Sequence, residues 1–187
     1  MIRAFIAANL ALSIVEEIAK VQGLLRSAPG DIRWTRIAGW HLTFKFLGDI
    51  ARNQPGPIMM ALHAALQEQS AVPVRVQGLG AFPNLKRPRV LWTALQGDGL
   101  QELAEKMETA LISLDFPPEE RPFTPHLTLG RVRSLRGWEQ VLAVVRQHER
   151  QFFGESQIEQ VTLYQSELKP AGAIYTSLGT VALRRKR

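Results

Sequence analysis

The chain has 187 residues, 45% of them hydrophobic and 21% charged, which supports one globular domain with a sizeable core and excludes disorder as the main state. It has no cysteine, so a disulfide framework, a zinc–thiolate site and a cysteine nucleophile are all excluded. The net charge is +6, and 17 of the 23 basic residues are Arg, whose planar fork grips phosphate and stacks on bases, so an anionic partner such as RNA is compatible with the charge.

Residues 3–9 read as a strand, because the apolar run stops at Asn9 without a cleavage-site pattern. No apolar stretch approaches the roughly 18 residues of a membrane span. Both features suit a cytoplasmic protein. Ser13-Ile14-Val15-Glu16 has the form of a capping box, and Ile14, Ile18, Val21 and Leu25 then share one helical face. Residues 41–47 alternate polar and apolar, as a half-buried strand does. Ile58, Ala61, Leu62, Ala65 and Leu66 predict a helix with Pro57 in its first turn. Residues 74–79 and 89–95 read as strands, and Leu100, Leu103, Met107, Ala110 and Leu114 mark another helix. A strand at 126–129, a helix at 138–149, and strands at 157–168 and 174–181 complete the chain. Arg184-Arg185-Lys186-Arg187 reads as a frayed, solvated tail.

Strand–helix–strand–helix–strand therefore occurs twice. The opening strands, at Arg3 and Arg89, lie 86 residues apart, and His41 and His126 lie 85 apart. These near-equal offsets predict a single domain over residues 1–187, built as two similar lobes from an approximate repeat of 1–82 and 87–183, with a cleft between them.

Of four histidines, His41 and His126 sit in the pattern His–apolar–Thr–apolar. On a strand, His41 and Thr43 share one face while Leu42 and Phe44 share the other, and the same holds for His126 and Thr128 against Leu127 and Leu129. Each motif thus presents an imidazole beside a hydroxyl. One neutral imidazole can take a proton from water while a protonated partner gives one to a leaving alkoxide. Two hydroxyls can donate to an oxyanion, and the set suits in-line attack at phosphorus. Two histidines are few ligands for a catalytic zinc, and no carboxylate stands at a usual ligand spacing, so neither metal nor cofactor is expected. His63 and His148 lack this setting and read as surface or boundary residues.

The sequence resembles the 2H phosphoesterase superfamily. Within it the chain is similar to the bacterial RNA 2′,3′-cyclic phosphodiesterases, also known as 2′-5′ RNA ligases. The resemblance rests on Arg3-Ala4-Phe5-Ile6-Ala7, Trp40-His41-Leu42-Thr43-Phe44-Lys45-Phe46-Leu47-Gly48, Gly80-Ala81-Phe82-Pro83, Arg87-Pro88-Arg89-Val90-Leu91-Trp92, Thr124-Pro125-His126-Leu127-Thr128-Leu129-Gly130-Arg131 and Leu163-Tyr164-Gln165-Ser166-Glu167-Leu168. It implies an α+β, bilobal, pseudo-two-fold fold, with two mainly antiparallel sheets flanking the cleft and helices outside. It implies hydrolysis of a ribose 2′,3′-cyclic phosphate to the 2′-phosphomonoester, and joining of such ends to 5′-hydroxyl ends. His41 would be the proton donor and His126 the acceptor, an order that sequence symmetry alone leaves open. Arg131 would contact phosphate and Phe82 would stack a base.

Simple alternation would put Arg131 on the apolar face, unless a bulge at Gly130 re-aims it. Lys45 shares the His41 face by parity and is a candidate anion ligand. Lys86, Arg87 and Arg89 read as a solvated hairpin end. Trp34, Trp40 and Trp92 read as core or cleft wall, and Tyr164 and Ser166 as candidate cleft floor. The expected partner is RNA with 2′,3′-cyclic phosphate ends, with no membrane and no obligate protein partner, hence a monomer. Two rivals remain: turnover of a small cyclic nucleotide, and a non-catalytic nucleotide-binding module. Both His and both Thr are present, which opposes the second.

Overall fold

The molecule is seen in a computed structural model, which describes residues 1–169 and 172–185. Its elements in chain order are β1 (Ile2–Ala8), α1 (Leu12–Ser27), β2 (Ile32–Trp34), a 3₁₀ turn (Ile37–Gly39), β3 (Leu42–Ile50), α2 (Pro55–Leu66), β4 (Val72–Phe82), β5 (Val90–Gln96), α3 (Leu100–Ile112), β6 (His126–Val132), α4 (Trp138–Gln147), β7 (Phe152–Ile158), β8 (Gln160–Lys169) and β9 (Gly172–Ala182). The sheet runs β7-β4-β5-β6-β3-β1-β8-β9, every named pairing is antiparallel, and β2 pairs with β6.

The two halves of this sheet meet through one residue pair. Leu42 of β3 faces Leu127 of β6, and no further rung joins those strands among the described residues. On one side lie β3, β1, β8 and β9; on the other lie β6, β5, β4 and β7. The helices follow this division. α2 packs on α3 and β9, whereas α1 packs on β7 and α4. The lobes are therefore not the two halves of the chain. The first half gives β4 and α1 to the lobe of β6, and the second half gives β8, β9 and α3 to the lobe of β3.

The predicted helical faces are buried as expected. Ile14, Ile18, Val21 and Leu25 of α1, Ile58, Leu62 and Leu66 of α2, and Leu100, Leu103 and Met107 of α3 all enter the core. No helix among the described residues is long and apolar enough to cross a membrane.

Several local expectations fail for identifiable reasons. The Ser13–Glu16 capping box does not form, because α1 begins at Leu12 with Ala11 as its uncapped N-cap. The Ala11 N–H donates to Ser156 Oγ at 3.2 Å, a tertiary contact that ties the start of α1 to β7. The strand expected at 157–168 is two strands. The chain turns at Glu159 without glycine or proline, and β7 and β8 join opposite ends of the sheet. β2 is too short for alternation to reveal. Arg184 is not frayed. Its N–H donates to the Gln69 carbonyl (2.8 Å), its carbonyl accepts from the Ala71 N–H (2.7 Å), and its guanidinium pairs with Glu68. Lys186 and Arg187 lie outside the described residues.

Gly130 sets how closely β2 approaches β6. A Cβ there would fall 2.8 Å from Ile32 Cγ2 and 3.0 Å from Trp34 Cε3. Gly130→Val should therefore push β2 off the sheet. The expected cost is about 1–3 kcal/mol, the usual range for overpacking, read as a lower urea midpoint; an unchanged midpoint would mean that the β2–β6 contact is slack.

Candidate active site

The Leu42–Leu127 pair organises the candidate site. Both leucines are fully buried on the core side of the sheet. Their chain neighbours His41, Thr43, His126 and Thr128 therefore point to the opposite face, and all four are half-buried there. Antiparallel register sets His41 toward Thr128 and Thr43 toward His126. By ladder spacing the two histidine Cα atoms lie on a diagonal of about 8 Å, room for a tetrahedral group between the imidazoles. Among the described residues neither threonine hydroxyl has a hydrogen-bond partner, so both remain available to a ligand.

Each imidazole is held from behind by the backbone of the residue two positions earlier. His126 Nδ1 lies 2.7 Å from the Thr124 carbonyl oxygen. His41 has a backbone hydrogen bond to Gly39. A carbonyl only accepts, so in His126 Nδ1 carries the hydrogen in the neutral ring and Nε2 keeps its lone pair. Burial pushes His41 down from 6.5 to about 4, against the smaller upward pull of the Gly39 bond. Burial also lowers His126, the Thr124 bond opposes this, and the positive charge of Arg131 lowers it further. Both rings are thus neutral near pH 7 in the free protein.

The walls differ in chemistry. His41 stacks on Phe5 at 4.7 Å between ring centroids and meets the edge of Tyr175 at 5.1 Å. Phe5 also stacks on Tyr164 at 5.4 Å. His126 meets Phe82 edge-on at 4.9 Å, and Phe82 leans on Trp92 at 5.1 Å. Trp92 lies across Gly80, where a Cβ would sit 2.3 Å from the indole. Phe82 and Tyr164 occupy equivalent places, since Phe82 pairs with Val90 as Tyr164 pairs with Phe5.

Two bulges decide what stands beyond the threonines. In β6 the register with β5 slips between Trp92↔Thr128 and Leu91↔Gly130, so Leu129 is the extra residue. Alternation resumes with Arg131 opposite Val90, on the face of His126 and Thr128. A bulge of the kind that could re-aim Arg131 therefore exists, at Leu129 rather than at Gly130, and it turns Arg131 to the cleft face. In β3 the same slip falls at Phe44, between Ala7↔Thr43 and Ile6↔Lys45. Here the consequence corrects the sequence reading. Lys45 is turned to the core face and Phe46 to the cleft face.

Lys45 is 4% exposed and is not an anion ligand of the cleft. Its Nζ donates to Glu108 Oε2 (2.6 Å) and to the Pro117 carbonyl (2.8 Å), and the Glu119 N–H donates to the same Glu108 oxygen (3.3 Å). The pair ties β3 to α3 and to the loop that leads into His126. Phe46, 61% exposed, stands at the place in its motif that Arg131 holds in the other.

Of the other candidates, Phe82 ends β4 on the cleft face, and Tyr164 and Ser166 lie on the cleft face of β8. Asn84 Oδ1 accepts from the N–H groups of Lys86 and Arg87, at 3.0 Å each, closing an exposed turn as expected. His63 is exposed, and His148 Nδ1 bonds the Val144 carbonyl at 2.8 Å at the end of α4. Sequence reasoning missed Phe5, Phe46 and Tyr175. The 85-residue offset carries Phe46 onto Arg131 and could have found it; Tyr175 reaches the site only through sheet pairing.

The chain matches the family described as LigT-like phosphoesterase twice, over residues 11–92 and 95–175. An RNA 2′,3′-cyclic phosphodiesterase of Archaeoglobus fulgidus is 31% identical over 94% of this chain and 97% of its own length. One of Methanothermobacter thermautotrophicus is 28% identical over 95% and 96%. A solved structure from Thermus thermophilus superposes with a TM-score of 0.82 at 28% identity, covering 99% of this chain and all of that one. Escherichia coli LigT complexed with 3′-AMP superposes with a TM-score of 0.76 at 24% identity, over 97% and 98% of the two chains.

The Lys45–Glu108 pair generates a prediction. Lys45→Ala leaves the Glu108 carboxylate half-buried without its partner and should cost about 3 kcal/mol in urea unfolding. Lys45→Met with Glu108→Leu should recover most of that loss. If the single variant unfolds like the wild type, the pair has no structural role.

Proposed function

The chain belongs to the LigT-like phosphoesterase family, and from this site we propose that it hydrolyses RNA 2′,3′-cyclic phosphate ends to 2′-phosphomonoesters without a metal. The observation that carries the reading is the pair of histidines set around Leu42 and Leu127, each held by the backbone of the residue two positions earlier. The relatives named as RNA 2′,3′-cyclic phosphodiesterases and the LigT structure with 3′-AMP support the substrate class.

The cyclic phosphate enters between the two rings as an anion. Its charge favours an imidazolium and offsets the effect of burial. His126 Nε2 takes a proton from water as the water oxygen bonds phosphorus. The bond from phosphorus to the ribose 3′-oxygen breaks in line, and His41 gives that oxygen its proton. The phosphate stays on the 2′-oxygen. Thr43 and Thr128 donate to the non-bridging oxygens as charge builds there. A 5′-hydroxyl in place of water would give the 2′-5′ joined product by the same bond changes.

The assignment of acid and base follows the family resemblance. Burial holds His41 down to about 4 in the free protein, so its role as acid depends on the bound anion to raise it. Burial, and after it the Arg131 charge, disfavour an imidazolium at His126, as a base requires. The donor set at the reacting phosphorus is two imidazoles and two hydroxyls, which suits proton transfer rather than metal ligation.

The test is turnover of an RNA with a 2′,3′-cyclic end in EDTA, with the position of the product phosphate identified. The expected product is the 2′-phosphomonoester at an undiminished rate. Loss in EDTA with recovery on adding a divalent metal overturns the metal-free mechanism, and turnover of small cyclic nucleotides alone points to a different substrate. His41→Ala and His126→Ala should each cost at least ~10²-fold, and the double variant less than the product of the two. A substrate with an activated 3′ leaving group should rescue His41→Ala and not His126→Ala.

The pH profile is a separate expectation. Both imidazoles titrate below 6.5 in the free protein, and one must be protonated while the other is neutral. The bell for kcat/KM should therefore peak on the acid side of 6.5. The bell for kcat should move upward, because the bound anion raises the acid's pKa. A kcat/KM maximum above neutral pH would contradict the burial argument.

A further inference from the structure

Arg33, at the centre of β2, lies directly across from Arg131 of β6. Opposed residues of an antiparallel pair project on the same face, and the bulge at Leu129 has already placed Arg131 on the face of His126 and Thr128. The neighbours of Arg33 fix its side. Ile32 and Trp34 approach Gly130 and pack toward the core, so Arg33 projects into the cleft. Both arginines are exposed.

Like charges directly opposed on a sheet are destabilising. Here nothing among the described residues offsets that cost, since neither arginine makes an ion pair there. The nearest carboxylate along the chain, Asp31, accepts from Ser134 Oγ at 2.7 Å instead. The other arginine in a comparable setting, Arg75, is covered by the Phe152 ring at 4.5 Å and lies 3.9 Å from Glu155. Two opposed guanidinium groups form a fork-shaped donor array suited to a phosphate.

Position decides which phosphate. Along the ladder with β5, the step from Thr128 to Arg131 spans two residues, about 7 Å, and Arg33 lies about 5 Å farther across. The pair is thus displaced from the His–Thr quartet by roughly one nucleotide. A 2′,3′-cyclic phosphate terminates an RNA strand, so the next phosphate can lie only on the 5′ side of the terminal nucleoside. We infer that Arg33 and Arg131 form a second phosphate subsite, which holds the phosphodiester 5′ to the nucleotide that carries the cyclic end. This rests on the reaction proposed above and adds to it a preference for RNA ends over free cyclic mononucleotides. The pseudo-symmetric end of the cleft has Phe46 in the place of Arg131, so the phosphate subsite exists at one end only and fixes strand direction.

The experiment compares kcat/KM for adenylyl-adenosine ending in a 2′,3′-cyclic phosphate with that for adenosine 2′,3′-cyclic phosphate. The first has the flanking phosphodiester and the second lacks it. The wild type should prefer the dinucleotide. Arg33→Ala should lower the ratio about tenfold or more, the usual worth of a charged hydrogen bond. Arg33→Lys should keep part of the preference. The slope of log kcat/KM for the dinucleotide against log salt should shrink by about 0.7 in Arg33→Ala, as expected when one fewer phosphate of a single strand is neutralised. A ratio unchanged in Arg33→Ala, whether both rates fall together or neither falls, overturns the subsite while leaving the cyclic phosphodiesterase reading intact. A wild type that turns over neither substrate overturns the parent reading instead, and the subsite with it.

Discussion

One antiparallel pair, Leu42 opposite Leu127, is the constraint on which the rest of the site depends. It is the only rung between the two halves of the sheet among the described residues. Each leucine is fully buried, and burying such a side chain stabilises by roughly 1.5–3 kcal/mol. The pair therefore fixes two strands at one point and leaves them free to part on either side. Because side chains alternate, anchoring the leucines inward forces His41, Thr43, His126 and Thr128 outward around that point. Apolar packing, rather than any polar contact between the four, brings the reactive groups together.

The interlocked topology reinforces this fixed point. Each half of the chain contributes strands and a helix to the lobe built mainly around the other half. The β3 lobe holds β8, β9 and α3 from the second half, and the β6 lobe holds β4 and α1 from the first. Parting the lobes would demand more than breaking one leucine contact, since the chain crosses between them repeatedly. Gln22 of α1 shows the scale of this stitching: its side-chain amide donates to the carbonyls of Thr35 and Leu129, at 2.9 Å each, and joins the start of the His41 loop to the bulge of β6.

Pseudo-symmetry gives two similar motifs, and their differences decide what each does. Both bulges fall three residues after the histidine, at Phe44 and Leu129, and both turn the residue five after it into the cleft. One motif places Phe46 there and the other Arg131. One histidine leans on the aromatic face of Phe5, and the other feels a guanidinium. A symmetric scaffold thus carries an asymmetric field.

The sequence by itself determined the periodic and the repeated features. The helical faces of α1, α2 and α3, the two His–apolar–Thr–apolar motifs and their 85-residue offset are properties of local alternation and spacing, and the structure keeps each of them. Local readings failed wherever a neighbour in space set the outcome. Ser13 lies inside α1, whose N-cap residue Ala11 is tied to Ser156 of a distant strand, and the break at Glu159 shows only when β7 and β8 find different partners. Lys45 and Arg131 illustrate the limit most clearly. Parity read along the chain put Lys45 with His41 and Arg131 away from His126, and one extra residue in each strand reversed both. A bulge is a mismatch in length between two paired strands, so only the tertiary structure, which brings β1 to β3 and β5 to β6, decides on which face each charge falls.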